Sequence, residues 1–257
     1  MKIFLTFTFA LLVYSGFAQQ DSDTKVLKNS ISITLGSNQF KEENLHLKAF
    51  RGMTIGTSYR HTKINKNISE YTAGLKISLL KTTFENFPSS VSILILGDYK
   101  YLFNIIKNER LSYYLGPVVD LQYGASAYFN WDESHLYFAN YLGGGIGSRI
   151  TYSLGDKSLD FNLDIPFISC IFRPENNRQY KIDDMTFGGI FKNLSSNPEG
   201  ALPYKNFFVK AGLDMKYKSK RSKTRSVGYN FKYHYMHASD GNPFQNIEHS
   251  VSYKFIF

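Results

Sequence analysis

Apolar and polar side chains alternate with a period of two along most of this sequence. The clearest run is 159–167, in which five apolar residues at odd positions alternate with Asp160, Asn162, Asp164 and Pro166. The run 207–218 repeats the pattern. Residues two apart lie on the same face of a β-strand, whereas helical spacing would mix the apolar and polar sets. The pattern therefore predicts strands with one apolar and one polar face.

The same alternation occurs in eight further runs. They are 31–35, 53–59, 71–79, 91–103, 111–123, 137–152, 227–239 and 247–257. Many runs reach the length of about nine to eleven residues that a tilted membrane strand needs, whereas strands in soluble sandwiches usually have about five or six. The sequence predicts an all-β fold, a closed antiparallel up-and-down transmembrane β-barrel of about ten strands, because closure leaves no strand edge unpaired in lipid.

The polar faces of these strands carry charges of both signs. Those with inward parity are Lys76, Lys100, Arg149, Lys210, Lys216, Lys232, Asp98, Asp120, Asp160, Asp164 and Asp214. If the apolar faces contact lipid, these charges pair inside a narrow barrel. Paired charges argue against a small-solute channel. Alternating connections then place 154–157 and 218–225 in the periplasm, and 131–135, 174–206 and 240–245 outside.

The first residues have the layout of a cleavable secretory signal. Lys2 precedes an apolar run, 3–14, and the small-residue pattern Gly16-Phe17-Ala18. An anchor helix, the alternative, needs about twenty apolar residues. We expect a signal peptide at 1–18 and one barrel domain at 19–257, in the bacterial outer membrane. The last residues, 253–257, resemble the terminal signature that hands outer-membrane barrels to the barrel-insertion machinery; the alternative is an ordinary final strand of a soluble sheet.

Composition narrows the classes of partner. Aromatic residues make up 16% of the chain, and no long apolar run follows the signal, which excludes a helical membrane protein. The net charge of +9 is spread along strands and turns, and export separates the protein from nucleic acid. We therefore expect outer-membrane lipid or lipopolysaccharide as the partner. Cys170 is the single cysteine, so the chain forms no internal disulfide.

One segment suggests chemistry. His237 and Ser239 are two residues apart on a predicted strand and share a face, and Glu248 follows across a short connection. A hydroxyl, an imidazole that takes its proton and a carboxylate that orients the ring form the arrangement for nucleophilic attack on an ester. The segments His237-Ala238-Ser239-Asp240 and Asn246-Ile247-Glu248 resemble the His-x-Ser-Asn motif and the last-strand Glu of the lipid A 3-O-deacylase family of outer-membrane barrels.

The resemblance covers about the last thirty residues and implies a hydrolase acting at the outer leaflet. It implies Ser239 as nucleophile, His237 as general base and Glu248 as orienting acid. Asp240 replaces the family's Asn, and simple alternation turns Glu248 inward. The alternative is that His237 and Ser239 are polar rim residues of a non-catalytic barrel.

Such a non-catalytic barrel would act as a subunit of an outer-membrane complex or as a surface-binding protein, and the connection 174–206 is the candidate surface for other outer-membrane proteins. We expect no metal site, because His234 has the opposite parity to His237 and zinc needs three or four convergent ligands. We also expect no cofactor: the glycines at 143–147 are not followed by the Lys-Ser/Thr of a phosphate-binding loop.

Overall fold

The computed structural model describes residues 26–42, 49–82, 85–129, 135–173, 186–195, 198–218, 224–237 and 243–257. The predicted signal peptide lies outside the described residues. Within them the chain forms the following elements: β1 Val26–Glu42, β2 Phe50–Ile64, β3 Ile68–Lys81, β4 Ser90–Lys107, β5 Leu111–Tyr128, β6 His135–Tyr137, β7 Asn140–Leu154, β8 Lys157–Phe172, α1 Phe187–Leu194, β9 Pro198–Ala201, β10 Asn206–Lys218, β11 Thr224–Met236 and β12 Phe244–Ile256.

Ten of these strands close into an antiparallel barrel, as the sequence predicts. Strands that follow each other in sequence pair in a meander, β12 pairs with β1, and β10 pairs with β8. The short strands β6 and β9 are additional: they pair with the ends of β5 and β8. Closure satisfies the backbone groups of every long strand without a free edge.

The strands are strongly staggered around the barrel. Paired residues followed from Leu35 of β1 lead one way round to Ala125 of β5, through β2, β3 and β4. The other way round, through β12 and β8, they lead to Tyr113 of the same strand. This stagger of twelve residues corresponds to strands tilted by about 40° from the barrel axis, which is the geometry of membrane barrels.

The two ends of the barrel differ in their connections. Short turns at 65–67, 108–110 and 155–156, with the connection 219–223, lie at one end, which we call the turn end. The connections 43–49, 82–89, 129–134, 173–205 and 237–243 lie at the other, the loop end. The predicted division of the connections between the two ends is confirmed. Outer-membrane barrels have short periplasmic turns and longer outer loops.

The outer face of the barrel is apolar. Leu35 is 56% exposed, Ile55 52% and Ile93 53%, and the belt continues through Leu213 and Val251. Tyrosines border it toward the turn end: Tyr59, Tyr71, Tyr152 and Tyr253. An apolar belt with an aromatic border is what a bilayer requires of a barrel surface. In the described ranges, no helix is long and apolar enough to cross a membrane.

Three local details differ from the predictions. The predicted strand 137–152 is divided into β6 and β7. The predicted strand 227–239 ends earlier, at Met236, because the His237 N–H donates to Lys205 O at 2.6 Å instead of continuing the ladder with β12. The short helix α1 lies within the connection expected to be a loop.

Candidate functional site

Charged side chains that the alternation turns inward meet as ion pairs inside the barrel. Lys100 Nζ lies 2.6 Å from Asp164 Oδ2, and Lys254 Nζ lies 2.6 Å from Asp214 Oδ1. Two further pairs, described without distances, are Lys210 with Asp120 and Lys216 with Asp160. Each pair joins different strands across the interior. The predicted paired interior is therefore confirmed for these residues.

Glu70 on β3 is the centre of a larger cluster. It is 1% exposed, and both of its carboxylate oxygens accept hydrogen bonds from Arg149 Nη2 at 2.9 Å. Thr62 Oγ1 donates to the same carboxylate at 3.0 Å, and Arg60 Nε lies 3.5 Å away. A buried carboxylate needs this number of partners to offset its desolvation. The cluster ties β2, β3 and β7 together across the interior.

Aromatic side chains fill the interior at the loop end. Phe40 and Phe50 stack with ring centroids 4.9 Å apart, and Tyr128 meets Phe50 edge-on at 5.1 Å. The remaining members of this cluster, which we call the aromatic plug, are Leu80, Tyr137, Ala139, Tyr141, Ile171, Ala201, Phe208, Met236 and Phe244. They come from strands all round the barrel. The plug therefore packs across the interior at the level where the strands meet the outer connections.

A smaller apolar cluster lies toward the turn end. Ile68, Leu102 and Tyr114 are buried there, and the partly buried Ile64 packs against them. The interior thus contains a layer of ion pairs between two apolar clusters. This agrees with the expectation that about ten strands enclose little more than their own side chains.

The structure separates the residues of the predicted catalytic site. Glu248 is 8% exposed, and its carboxylate accepts a hydrogen bond from Lys76 Nζ at 2.5 Å inside the barrel. It lies four residues into β12 from Phe244, which is opposite Met236, so it is about 13 Å below the end of the strand pair. His237 follows Met236 and is exposed at the loop end. Glu248 and His237 are not brought together, and Ser239 lies outside the described residues.

A buried polar series that the sequence does not reveal lies beside the aromatic plug. His234 Nε2 is 2.7 Å from Asn206 Oδ1, and Asn206 Nδ2 donates to Ser169 Oγ at 2.6 Å. The β8–β10 ladder ends at the pair Asp164 and Lys210, so Ser169 and Asn206 lie beyond the last backbone pair. Their side-chain bond links the two strands where the ladder is missing. Parity predicts that His234 faces inward, but only the register brings these residues together.

The helix α1 is fixed to the outside of β5. Asn140 Nδ2 donates to Leu194 O at 3.0 Å, and its Oδ1 accepts from Gly124 N at 2.8 Å. Tyr123 stacks on Phe191 with centroids 5.3 Å apart. Asn140 is fully buried and bonds both to the wall and to the helix. Among the residues that the structure describes, no group of three His, Cys, Asp or Glu side chains is placed to hold a metal ion.

Comparison with known proteins supports the fold. No protein-family model and no curated protein sequence matches this chain. The structure of the outer membrane protease OmpT from Escherichia coli is similar, with a TM-score of 0.58, 7% sequence identity, and coverage of 94% of this chain and 99% of that one. Two others are less similar: the Neisserial surface protein NspA (TM-score 0.35, 9% identity, 88% and 96% covered) and the translocator domain of NalP from Neisseria meningitidis (0.43, 10%, 99% and 95%).

The closed ten-strand barrel, its apolar belt and its likeness to OmpT make this chain an outer-membrane β-barrel. It lies in the bacterial outer membrane, as the sequence predicts. The turn end faces the periplasm and the loop end faces the cell exterior, because short turns are periplasmic in this class.

Proposed function

We propose that this protein is a non-catalytic barrel that binds another outer-membrane protein through its loop end. The observation that carries the proposal is the interior: ion pairs and the aromatic plug occupy it, and they include Glu248, the carboxylate that a reactive site would require. An interior filled in this way serves rigidity instead of transport or chemistry. Function then belongs to the surface that the barrel displays.

The loop end presents apolar side chains beyond the lipid belt. Phe87 is 80% exposed, Tyr204 70%, Phe129 61% and Leu202 50%. Phe129 N donates to Ser89 O at 2.8 Å, so the connection that carries Phe87 is joined to the end of β5. Exposed aromatic residues are enriched in the energetically important parts of protein interfaces. Their height above the belt favours a protein partner over acyl chains.

The test is the size of the native complex in outer membranes solubilised in mild detergent. We expect the wild type to migrate as a complex larger than the single chain, and the double variant Phe87→Ser and Phe129→Ser to migrate at the size of the free barrel. The control is Leu27→Ser, an equally apolar and 53% exposed position at the turn end. A wild type that migrates as a single chain would overturn the proposal, and a complex of twice the chain mass would identify a second copy as the partner.

The second candidate function is a lipid A deacylase-like ester hydrolase. The favouring observation is that His237 is exposed at the loop end, two residues before Ser239. In that position an imidazole and a hydroxyl reach the outer-leaflet headgroups where the esters of lipid A lie. OmpT is a protease, but likeness of fold alone carries no activity to this chain.

Mass spectrometry of lipid A from cells producing each variant distinguishes the two candidates. Loss of an acyl chain with the wild type but not with Ser239→Ala or His237→Ala would establish the hydrolase. Glu248→Gln then decides whether the resemblance extends to the carboxylate, provided heat-modifiable migration shows each variant folded. Unchanged lipid A with every protein would exclude lipid A deacylation and leave the surface-binding barrel.

A further inference from the structure

The positive charge of this protein is concentrated at the turn end. Its exposed cationic residues in the described part of the chain are Lys28, Lys63, Lys66, Lys107, Arg110, Lys157 and Lys218. The exposed acids at the same end are Glu109 and Asp156. These cations follow the border tyrosines toward the periplasm, as Lys63 follows Tyr59 on the outer face of β2. They therefore lie at the height of the headgroups of the periplasmic leaflet.

One open pocket at this end combines cations with apolar walls. It lies where β1, β10, β11 and β12 meet and is lined by Val26, Leu27, Lys28, Lys216, Thr224, Arg225, Phe255, Ile256 and Phe257. Its cations are Lys28, Lys216 and Arg225, and the remaining walls are mainly aliphatic and aromatic. A phosphate beside a hydrocarbon chain matches both parts of this lining.

Two of the three cations are available to a ligand. Lys216 is paired with Asp160, which is 3% exposed and belongs to the interior. No described carboxylate forms an ion pair with Lys28 or Arg225. Arg225 lies over the Phe255 ring, 4.5 Å from its centroid. Stacking occupies the face of the guanidinium and leaves its in-plane N–H donors for an anion, the geometry in which arginine binds phosphate.

We propose that this pocket binds the phosphate headgroup of an anionic phospholipid of the periplasmic leaflet. Lys28 and Arg225 bind the phosphate, while Leu27 and Phe255 contact the start of the acyl chains. The other exposed cations at the turn end attract the anionic surface without forming the pocket. This inference requires only the membrane position of the barrel, and it holds whichever function the loop end has.

The experiment is native mass spectrometry of the full processed chain in detergent, titrated with phosphatidylglycerol, with phosphatidylcholine, and with inorganic phosphate. We expect one phosphatidylglycerol to be retained in preference to phosphatidylcholine. Lys28→Gln with Arg225→Gln should lower the affinity roughly ten-fold or more, since each cation near an anionic surface contributes about 1 kcal/mol. The matched control, Lys63→Gln with Lys66→Gln, removes the same charge from the same end outside the pocket.

Several results would overturn the proposal. Equal losses in the pocket variant and the control would mean diffuse attraction, and equal retention of both lipids would mean that the phosphate is not recognised. Displacement of the lipid by inorganic phosphate at equal concentration would assign the site to free phosphate. The segment 19–25 is the competing occupant, because it contains Asp21 and Asp23. Retention of lipid only by Asp21→Asn with Asp23→Asn would show that this segment fills the pocket.

Discussion

At the scale of single residues, stability depends on how completely each interior charge is paired. Replacing Glu70 by Gln leaves Arg149 and Arg60 facing each other in a buried site without the carboxylate that both contact. Breaking a buried pair by removing one partner typically costs about 3 kcal/mol or more. We expect Glu70→Gln to lower the free energy of unfolding by about this amount, measured by urea titration in lipid vesicles with heat-modifiable migration as the readout.

The control for Glu70 is an ion pair outside the interior. Glu199 pairs with Lys205 near the loop end, where both side chains are about a quarter exposed. Exposed pairs contribute little because water and salt screen them, so Glu199→Gln should change the free energy by less than about 1 kcal/mol. Similar losses in both variants would show that the Glu70 cluster does not act as a buried network.

At the scale of the strand, close approach of neighbouring backbones decides which residues are tolerated. Gly52 and Gly56 both face inward on β2. A Cβ at Gly52 would overlap the carbonyl of Leu79, whereas one at Gly56 would lie 3.3 Å from the Leu75 carbonyl. Overpacking against backbone typically costs about 1–3 kcal/mol. We expect Gly52→Ala to lower the yield of folded barrel in vesicles clearly, and Gly56→Ala to lower it much less; the reverse order would contradict the register of β2 and β3.

The helix α1 offers a second test at this scale. Asn140→Ala removes the hydrogen bonds to Leu194 O and Gly124 N, so the helix should detach from the wall and the connection 173–205 should become sensitive to external protease. Tyr123→Phe is the control, because it keeps the stacking on Phe191 and loses only the hydroxyl bonds. Cleavage rates of intact cells measure both. Equal rates in wild type and Asn140→Ala would show that Asn140 does not hold the helix.

Strands and parity could be predicted from the sequence, whereas their ends could not. The alternation in β8 and β10 records the division between lipid and interior, and it correctly turned Lys100 and Asp164 inward. The end of β11 depends instead on one bond between His237 and Lys205, and residues so far apart in sequence leave no local pattern. The partner of Glu248 is likewise set by closure, since β3 supplies Lys76 from the opposite half of the chain. Parity predicts the face of a residue, and only the closed register predicts its neighbour.

At the scale of the whole molecule, the filled interior predicts that the barrel does not conduct. The ion pairs of the middle layer lie between the aromatic plug and the smaller cluster around Leu102, and a path for ions would require both clusters to separate. In planar bilayers we expect the wild type to show no stable conductance steps, and liposomes containing it should not swell in small sugars. The variant Phe40→Ala with Phe50→Ala removes two stacked rings of the plug and should still not conduct, because the ion-pair layer remains. Steady conductance by the wild type would mean that the interior opens in the membrane, and the surface-binding proposal would then give way to transport.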